Sequence, residues 1–173
     1  MGEMIMSDVN DEYEAAPIRT RARKVPPEWI DYNGHMNVAY YTMAFDNALD
    51  EILEERLGVG ESLAREGRYG PMALQTQIHY LGELVEGTEF ACDLQIIDAD
   101  PKRIHFFITM INLDTGETAA TYESLTMNVD LAARRSAPYP DWAQDRIERL
   151  RALHAALPRP PLAGNPLGIR RKA

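Results

Sequence analysis

The sequence predicts an α+β fold in which a curved antiparallel β-sheet wraps around one long α-helix. Three observations point there. Val38, Tyr41, Phe45, Ala48, Leu49, Ile52 and Leu53 recur at spacings of three and four, with Asp46, Asn47, Asp50, Glu51, Glu54 and Glu55 mostly between them. That is an amphipathic helix of about five turns. After Pro71 the apolar period falls to two and holds to Val129 through short turns, which implies four antiparallel strands in succession. Only the long helix can fill the concave side of such a sheet, so the two apolar faces bury each other.

Taken in order, residues 1–17 mix acids and small side chains without a period and read as an arm outside the domain. Residues 18–24 alternate bulky and small side chains as a first strand, which Val25, Pro26 and Pro27 end, because proline has no N–H to give. A polar turn at residues 29–35 leads into the helix. Asn37 or Asn33 can cap its start, and Gly58 is a natural stop. Residues 58–70 form a loop with a short helix near residues 62–66. In the first long strand Met72, Leu74, Thr76, Ile78 and Tyr80 share one side, and Gln75, Gln77 and His79 the other. Gly87 turns the chain into a strand at residues 90–96. Residues 104–113 are apolar on both faces, as in a central strand, and Asp114, Thr115 and Gly116 make a hairpin before the last strand, 117–129. The domain so defined spans residues 18–135. Residues 136–173 hold a helix from 141 to about 156, with Trp142, Ile147, Leu150, Leu153 and Leu157 on one face, and a Pro-rich tail packed on the domain.

Composition bounds the function. With 173 residues, 45% of them hydrophobic, and a mean hydropathy of −0.36, the chain is a single globular domain. The net charge of −9 argues against nucleic acid as partner. No apolar run is long enough to span a bilayer, and the N-terminus lacks a signal-peptide pattern. The single cysteine, Cys92, allows no internal disulfide and fits a reducing cytoplasm, the expected location. A meander leaves edge strands, and pairing two copies edge to edge removes them, so a homodimer or homotetramer is expected.

Chemistry concentrates in residues 29–41. Asp31, Asn33, His35 and Asn37 crowd onto the junction of turn and helix, where helix-opening N–H groups are unpaired. Glu123 is a separate candidate. It shares a strand face with Ala119, Thr121, Leu125, Met127 and Val129, and a carboxylate there needs a partner or a job, unless a bulge turns it to solvent. The histidines at 35, 79, 105 and 154 form no metal-ligand motif, and no metal is expected. There is no Gly-x-Ser-x-Gly elbow, phosphate loop or dinucleotide fingerprint.

Asp31, Gly34, His35 and Asn37 resemble the Asp-x-x-Gly-His-x-Asn signature of hotdog acyl-CoA thioesterases, the relatives of 4-hydroxybenzoyl-CoA thioesterase. The wider pattern resembles the thioesterases of carnitine breakdown, which occur alone or fused to carnitine dehydrogenase. It runs from Val25 to Tyr41, then His79, Tyr80, Leu81, Gly82 and Glu83, then Lys102, Arg103, Ile104 and His105. The tail around Gly164 and Gly168 is similar too. The resemblance implies a hotdog fold and hydrolysis of a short-chain acyl-CoA, first of all betainyl-CoA to glycine betaine and CoA. It implies no cofactor, since CoA is part of the substrate.

By the same resemblance Asp31 matches the catalytic carboxylate, which deprotonates water or attacks the thioester directly; without the resemblance it reads as a turn residue. N–H groups at the helix start would hold the oxyanion. Asn33 would orient water or the thioester oxygen, and His35 would bind the carbonyl or hold Asp31, or be structural. Gly34, Asn37, Tyr41, Glu123 and Arg103 are the expected substrate-binding residues. Arg103 would meet CoA phosphates or sit in a solvated turn, and Asn37 would cap the helix. Tyr40, Tyr41, Tyr80, Tyr122 and Trp142 supply rings for a quaternary ammonium. The alternatives are a thioesterase for another short or aromatic acyl-CoA, a hotdog enoyl-CoA hydratase, or a non-catalytic acyl-binding protein. Release of free thiol separates the thioesterases from the last two.

Overall fold

The computed structural model describes residues 15–66 and 68–169; residues 1–14 of the expected arm lie outside them. Helix α1, Val38–Ile52, buries Tyr41, Ala44, Phe45, Ala48, Leu49 and Ile52 on one face. The Asn37 side chain accepts the Ala39 N–H and caps the start. The helix continues as a wider turn, Leu53–Leu57, and stops at Gly58, whose φ of +71° is a left-handed conformation that glycine adopts without strain.

Four long strands form the meander: β3 (Tyr69–Tyr80), β4 (Glu89–Ala99), β5 (Arg103–Asn112) and β6 (Thr118–Asp130), after the short β1 (Ile18–Arg19) and β2 (Arg23–Lys24) and before β7 (Arg135–Ser136). The sheet order is β1-β4-β5-β6-β3, with every pair antiparallel, β2 beside β4 and β7 beside β6. The expected first strand is thus two short pieces. Between them the Thr20 hydroxyl, rather than the main chain, accepts the Cys92 N–H at 3.0 Å.

Phe45 of α1 stacks on Tyr122 of β6 at 5.2 Å, which fixes the inner face of the sheet. Ile104, Phe106, Ile108 and Met110 join that core. Paired residues share a face, so Thr76, Ile78 and Tyr80, opposite Ser124, Tyr122 and Ala120, also look inward. Met72 does not. The register shifts between Ala73 and Gln75, and this bulge puts Met72 opposite Met127 on the outer face. The single side drawn from period-two counting is therefore split at Leu74.

A short helix, α2 (Glu61–Arg65), packs on β3. The last helix, α3 (Asp141–His154), lies against β4 and buries Ala143, Ile147, Leu150 and His154. Trp142, expected on its apolar face, is exposed, with the Arg146 guanidinium 5.4 Å from its ring centroid. His154 closes the β4 edge where β1 has ended. Its Nδ1 accepts the Ile96 N–H at 2.8 Å, so the ring proton sits on Nε2, which donates to the Ala16 carbonyl at 3.1 Å. Burial holds this imidazole below its ordinary pKa, partly offset by the Ala16 carbonyl.

Candidate active site

The turn before α1 is tied down at both ends. The Asp31 N–H donates to the His35 carbonyl and the Gly34 N–H to the Asp31 carbonyl, at 3.1 and 3.0 Å. Gly34, with φ +83°, supplies the left-handed position this tight reversal needs. The Met36 N–H then reaches the Leu84 carbonyl at 2.7 Å and the Asn37 N–H the Trp29 carbonyl at 2.8 Å. Trp29 stacks on Tyr40 at 5.4 Å and locks the turn onto the first turn of the helix.

The result is an oriented carboxylate. One Asp31 oxygen accepts the Asn33 N–H at 2.8 Å, the other the Asn37 side-chain amide at 3.3 Å. Asn37 also occupies the Ala39 N–H with its side-chain oxygen and the Tyr40 N–H with its carbonyl. Of the first three N–H groups of α1, Val38's is left without an acceptor among the described residues. The expected oxyanion donors at the helix start therefore reduce to that one group.

Asp31 opens onto a pocket of about 550 Å³. Asn33, His35, Asn37 and Val38 line it from the turn and helix start, Tyr41 from α1, and Tyr80 and Glu83 from the end of β3 and the segment after it. The Tyr41 hydroxyl donates to the Gly82 carbonyl at 3.3 Å and accepts the Leu84 N–H at 3.2 Å, stitching that segment to the helix. Burial raises the Tyr41 pKa, with the Leu84 N–H working against it, and burial raises that of Tyr80. The two rings meet edge to face at 5.3 Å. His35 Nε2 lies 3.7 Å from the Glu83 carboxylate.

Five of the expected site residues thus share one pocket: Asp31, Asn33, His35, Asn37 and Tyr41. Gly34 shapes the turn behind it. Two lie elsewhere in this structure. Glu123 follows Tyr122, which faces α1, so it points to the outer face of the sheet. There it pairs with His105 at 2.6 Å and accepts the Gly164 N–H, beside a second pocket of about 340 Å³. Arg103 is held by Asp100 in the β4–β5 turn. It pairs with Met127, about 20 Å along β6 from the Ala120 that faces Tyr80. Tyr80 and Glu83 complete the pocket although only Tyr80 stood among the candidate rings. Both lie in the run 79–83 that carried part of the resemblance, which was the available signal. Among the described residues no group of three or more His, Cys, Asp or Glu could hold a metal.

Residues 25–147 match the model of the Thioesterase-like superfamily. The betainyl-CoA thioesterase of Pseudomonas aeruginosa is 30% identical over 152 residues, which are 88% of this chain and 95% of that protein. The L-carnitine dehydrogenase/betainyl-CoA thioesterase of a Rhizobium species is 32% identical over 158 residues, 91% of this chain. Those residues are 31% of that relative, so this chain spans about a third of its length. A Staphylococcus aureus protein solved in complex with CoA superposes with a TM-score of 0.80 at 28% identity, over 87% of this chain and 94% of that one. With a matched span that runs from before the Asp31 turn through the whole meander into α3, the chain belongs to the thioesterase-like superfamily and has the hotdog fold.

Proposed function

We propose that the protein is an acyl-CoA thioesterase that hydrolyses betainyl-CoA to glycine betaine and CoA. The observation that carries this reading is the composition of the Asp31 pocket: a fixed carboxylate in a lining with three tyrosines, Tyr32, Tyr41 and Tyr80, and a second carboxylate, Glu83. In the general-base route Asp31 takes a proton from water as the oxygen–carbonyl bond forms. In the nucleophilic route its oxygen attacks and water later opens the mixed anhydride. In both, the carbon–sulfur bond breaks and the CoA thiolate leaves and takes up a proton. The oxyanion is met by the Val38 N–H at the positive end of a 15-residue helix, with Asn33 and His35 beside it.

The acyl preference rests on the contacts open to a trimethylammonium. It has no N–H, so ring faces and carboxylate charge are its only strong partners. Half-exposed Tyr80 offers a ring, with the buried Tyr41 packed against it, and the Pseudomonas and Rhizobium relatives are named betainyl-CoA thioesterases. Water and the chain's own side chains suffice for this chemistry, so we assign no cofactor; CoA enters with the substrate. We also assign the enzyme to the cytoplasm, where acyl-CoA is found, as an assembly of at least two copies. Among the described residues the 12-residue β3 pairs only with β6, so its other edge has no strand partner. Among the described residues no helix is long and apolar enough to cross a membrane.

The test is thiol release from a small acyl-CoA panel. Betainyl-CoA is expected to exceed its uncharged isostere, 3,3-dimethylbutyryl-CoA, by well over tenfold in kcat/KM. Equal efficiencies reject the betainyl assignment and leave a thioesterase for another short acyl-CoA. No thiol release from any member rejects hydrolysis altogether.

A further inference from the structure

The chain after α3 crosses the outer face of the sheet along a single line. Gln95, Phe107, Glu123 and Gln77 are register partners in β4, β5, β6 and β3, so they form one row perpendicular to the strands. The tail tracks this row. The Gln95 amide donates to the Pro158 carbonyl at 3.5 Å; the Gly164 N–H is shared by both Glu123 oxygens at 3.0 and 2.9 Å. The Gln77 amide donates to the Asn165 carbonyl at 2.5 Å. Phe107, the apolar member of the row, is buried although it faces away from α1.

The path therefore runs from β4 towards β3, and β3 is the last strand. Pro166 still lines the outer-face pocket with Gln75 and Leu125, and the exposed side chains begin at Leu167. Leu167 is 98% exposed and Ile169 is 89% exposed, the highest values among the large aliphatic side chains described. A segment pinned by hydrogen bonds to within two residues of Leu167 is aimed over the β3 edge by its own anchors.

We infer that residues 167–169 are an inter-subunit arm, which each copy lays on the outer face of a second copy joined to it at β3. This rests on the edge pairing of the proposed assembly. An antiparallel pair keeps the outer faces continuous, so the row of one copy runs on into the other. Neighbouring strands are about 5 Å apart, and an extended chain advances about 3.4 Å per residue. Leu167 and Ile169, two and four residues past Asn165, reach at most about 7 and 14 Å once the bend at 167–168 is drawn out, enough to lie over the second copy's β3 and β6. The outer face of those strands carries the half-exposed Met72 beside Leu125 and Met127, an apolar seat matching the arm. The exchange is reciprocal, because a twofold pair offers two arms and two seats.

A benzophenone maleimide attached to Leu167→Cys tests this. Cys92 is buried, with its thiol pushed up to about 12, and does not compete for the label. Labelled protein is mixed with an equal amount of unlabelled ¹⁵N protein, exchanged, irradiated and digested. Cross-links of mixed isotope from residue 167 to β3 or β6 peptides are the expected result. Cross-links confined to one copy, or none, in a sample that sediments as a dimer overturn the arm and leave the pairing standing; a monomer overturns both. In a second arm, Leu167→Ser combined with Ile169→Ser is expected to raise the dimer dissociation constant at least tenfold, and an unchanged constant overturns the proposal.

Discussion

Asn37 binds Asp31 to the helix: its amide nitrogen donates to the Asp31 carboxylate at 3.3 Å while its side-chain oxygen accepts the Ala39 N–H at 3.0 Å. One carboxamide serves as cap and as orienting donor, and the two duties can be separated. Asn37→Ser keeps a capping oxygen and loses the donor, so turnover should fall about tenfold with stability nearly unchanged. Asn37→Ala loses both and should also cost about 1 kcal/mol of stability. Thermal unfolding beside thiol-release kinetics separates the two. Equal turnover for Asn37→Ser and the parent protein would leave the amide without a role in catalysis.

Asp31→Asn keeps the shape of the turn and its contacts with the Asn33 N–H through an amide oxygen. It removes the base or nucleophile. Turnover should fall at least about a hundredfold, within the range for positioned acid–base groups. CoA affinity, measured by calorimetry, should be unchanged within error. Near-normal hydrolysis by this variant excludes Asp31 from the chemistry.

The charge preference should depend on Tyr80 and Glu83. A desolvated cation–π contact contributes about 2 kcal/mol, roughly thirtyfold in affinity. Tyr80→Leu should cut the betainyl advantage over 3,3-dimethylbutyryl-CoA by about that factor. Glu83 has a side chain 74% exposed, so water screens it and Glu83→Gln should reduce the ratio only a few-fold. Glu123→Gln, across the sheet, should leave the ratio alone. A drop with Glu123→Gln and none with Tyr80→Leu would move the acyl site to the outer face.

His154 gives stability a sign with pH. Its folded pKa lies below the ordinary 6.5, so under about pH 6.5 the unfolded chain binds the proton and the folded chain does not. The stabilisation is whole above that value and is lost as pH falls towards the folded pKa, with a slope of at most about 1.4 kcal/mol per pH unit. His154→Leu removes the acceptor of the buried Ile96 N–H and should destabilise by about 1–3 kcal/mol at neutral pH. It should also remove this contribution to the slope. Urea titrations of both proteins from about pH 7.5 to 5 check it; parallel pH profiles count against the assignment.

Periodicity by itself determined the elements and their order. A 3.6-residue period over residues 38–53 and a two-residue period from Met72 to Val129 have few solutions other than a helix wrapped by a meander. Residues 31–37 were equally legible, because a turn and the cap after it are local: seven consecutive residues carry Asp31, its two donors and the helix start. Contacts across the sheet were not. The count by two put Glu123 on one face with Thr121 and Leu125, but whether that face meets α1 or the outside depends on the Phe45–Tyr122 stack, 77 positions apart in sequence. The bulge at Leu74 turned Met72 outward, and no spacing announces a bulge. Tyr80 and Glu83 join Asp31 only because the Tyr41 hydroxyl and the Met36 N–H tie residues 82–84 to the helix. His154 was one weak histidine on a polar helix until a strand edge needed an acceptor. Local chemistry is written in order along the chain; which face, which edge and which neighbour are set by packing between segments far apart in it.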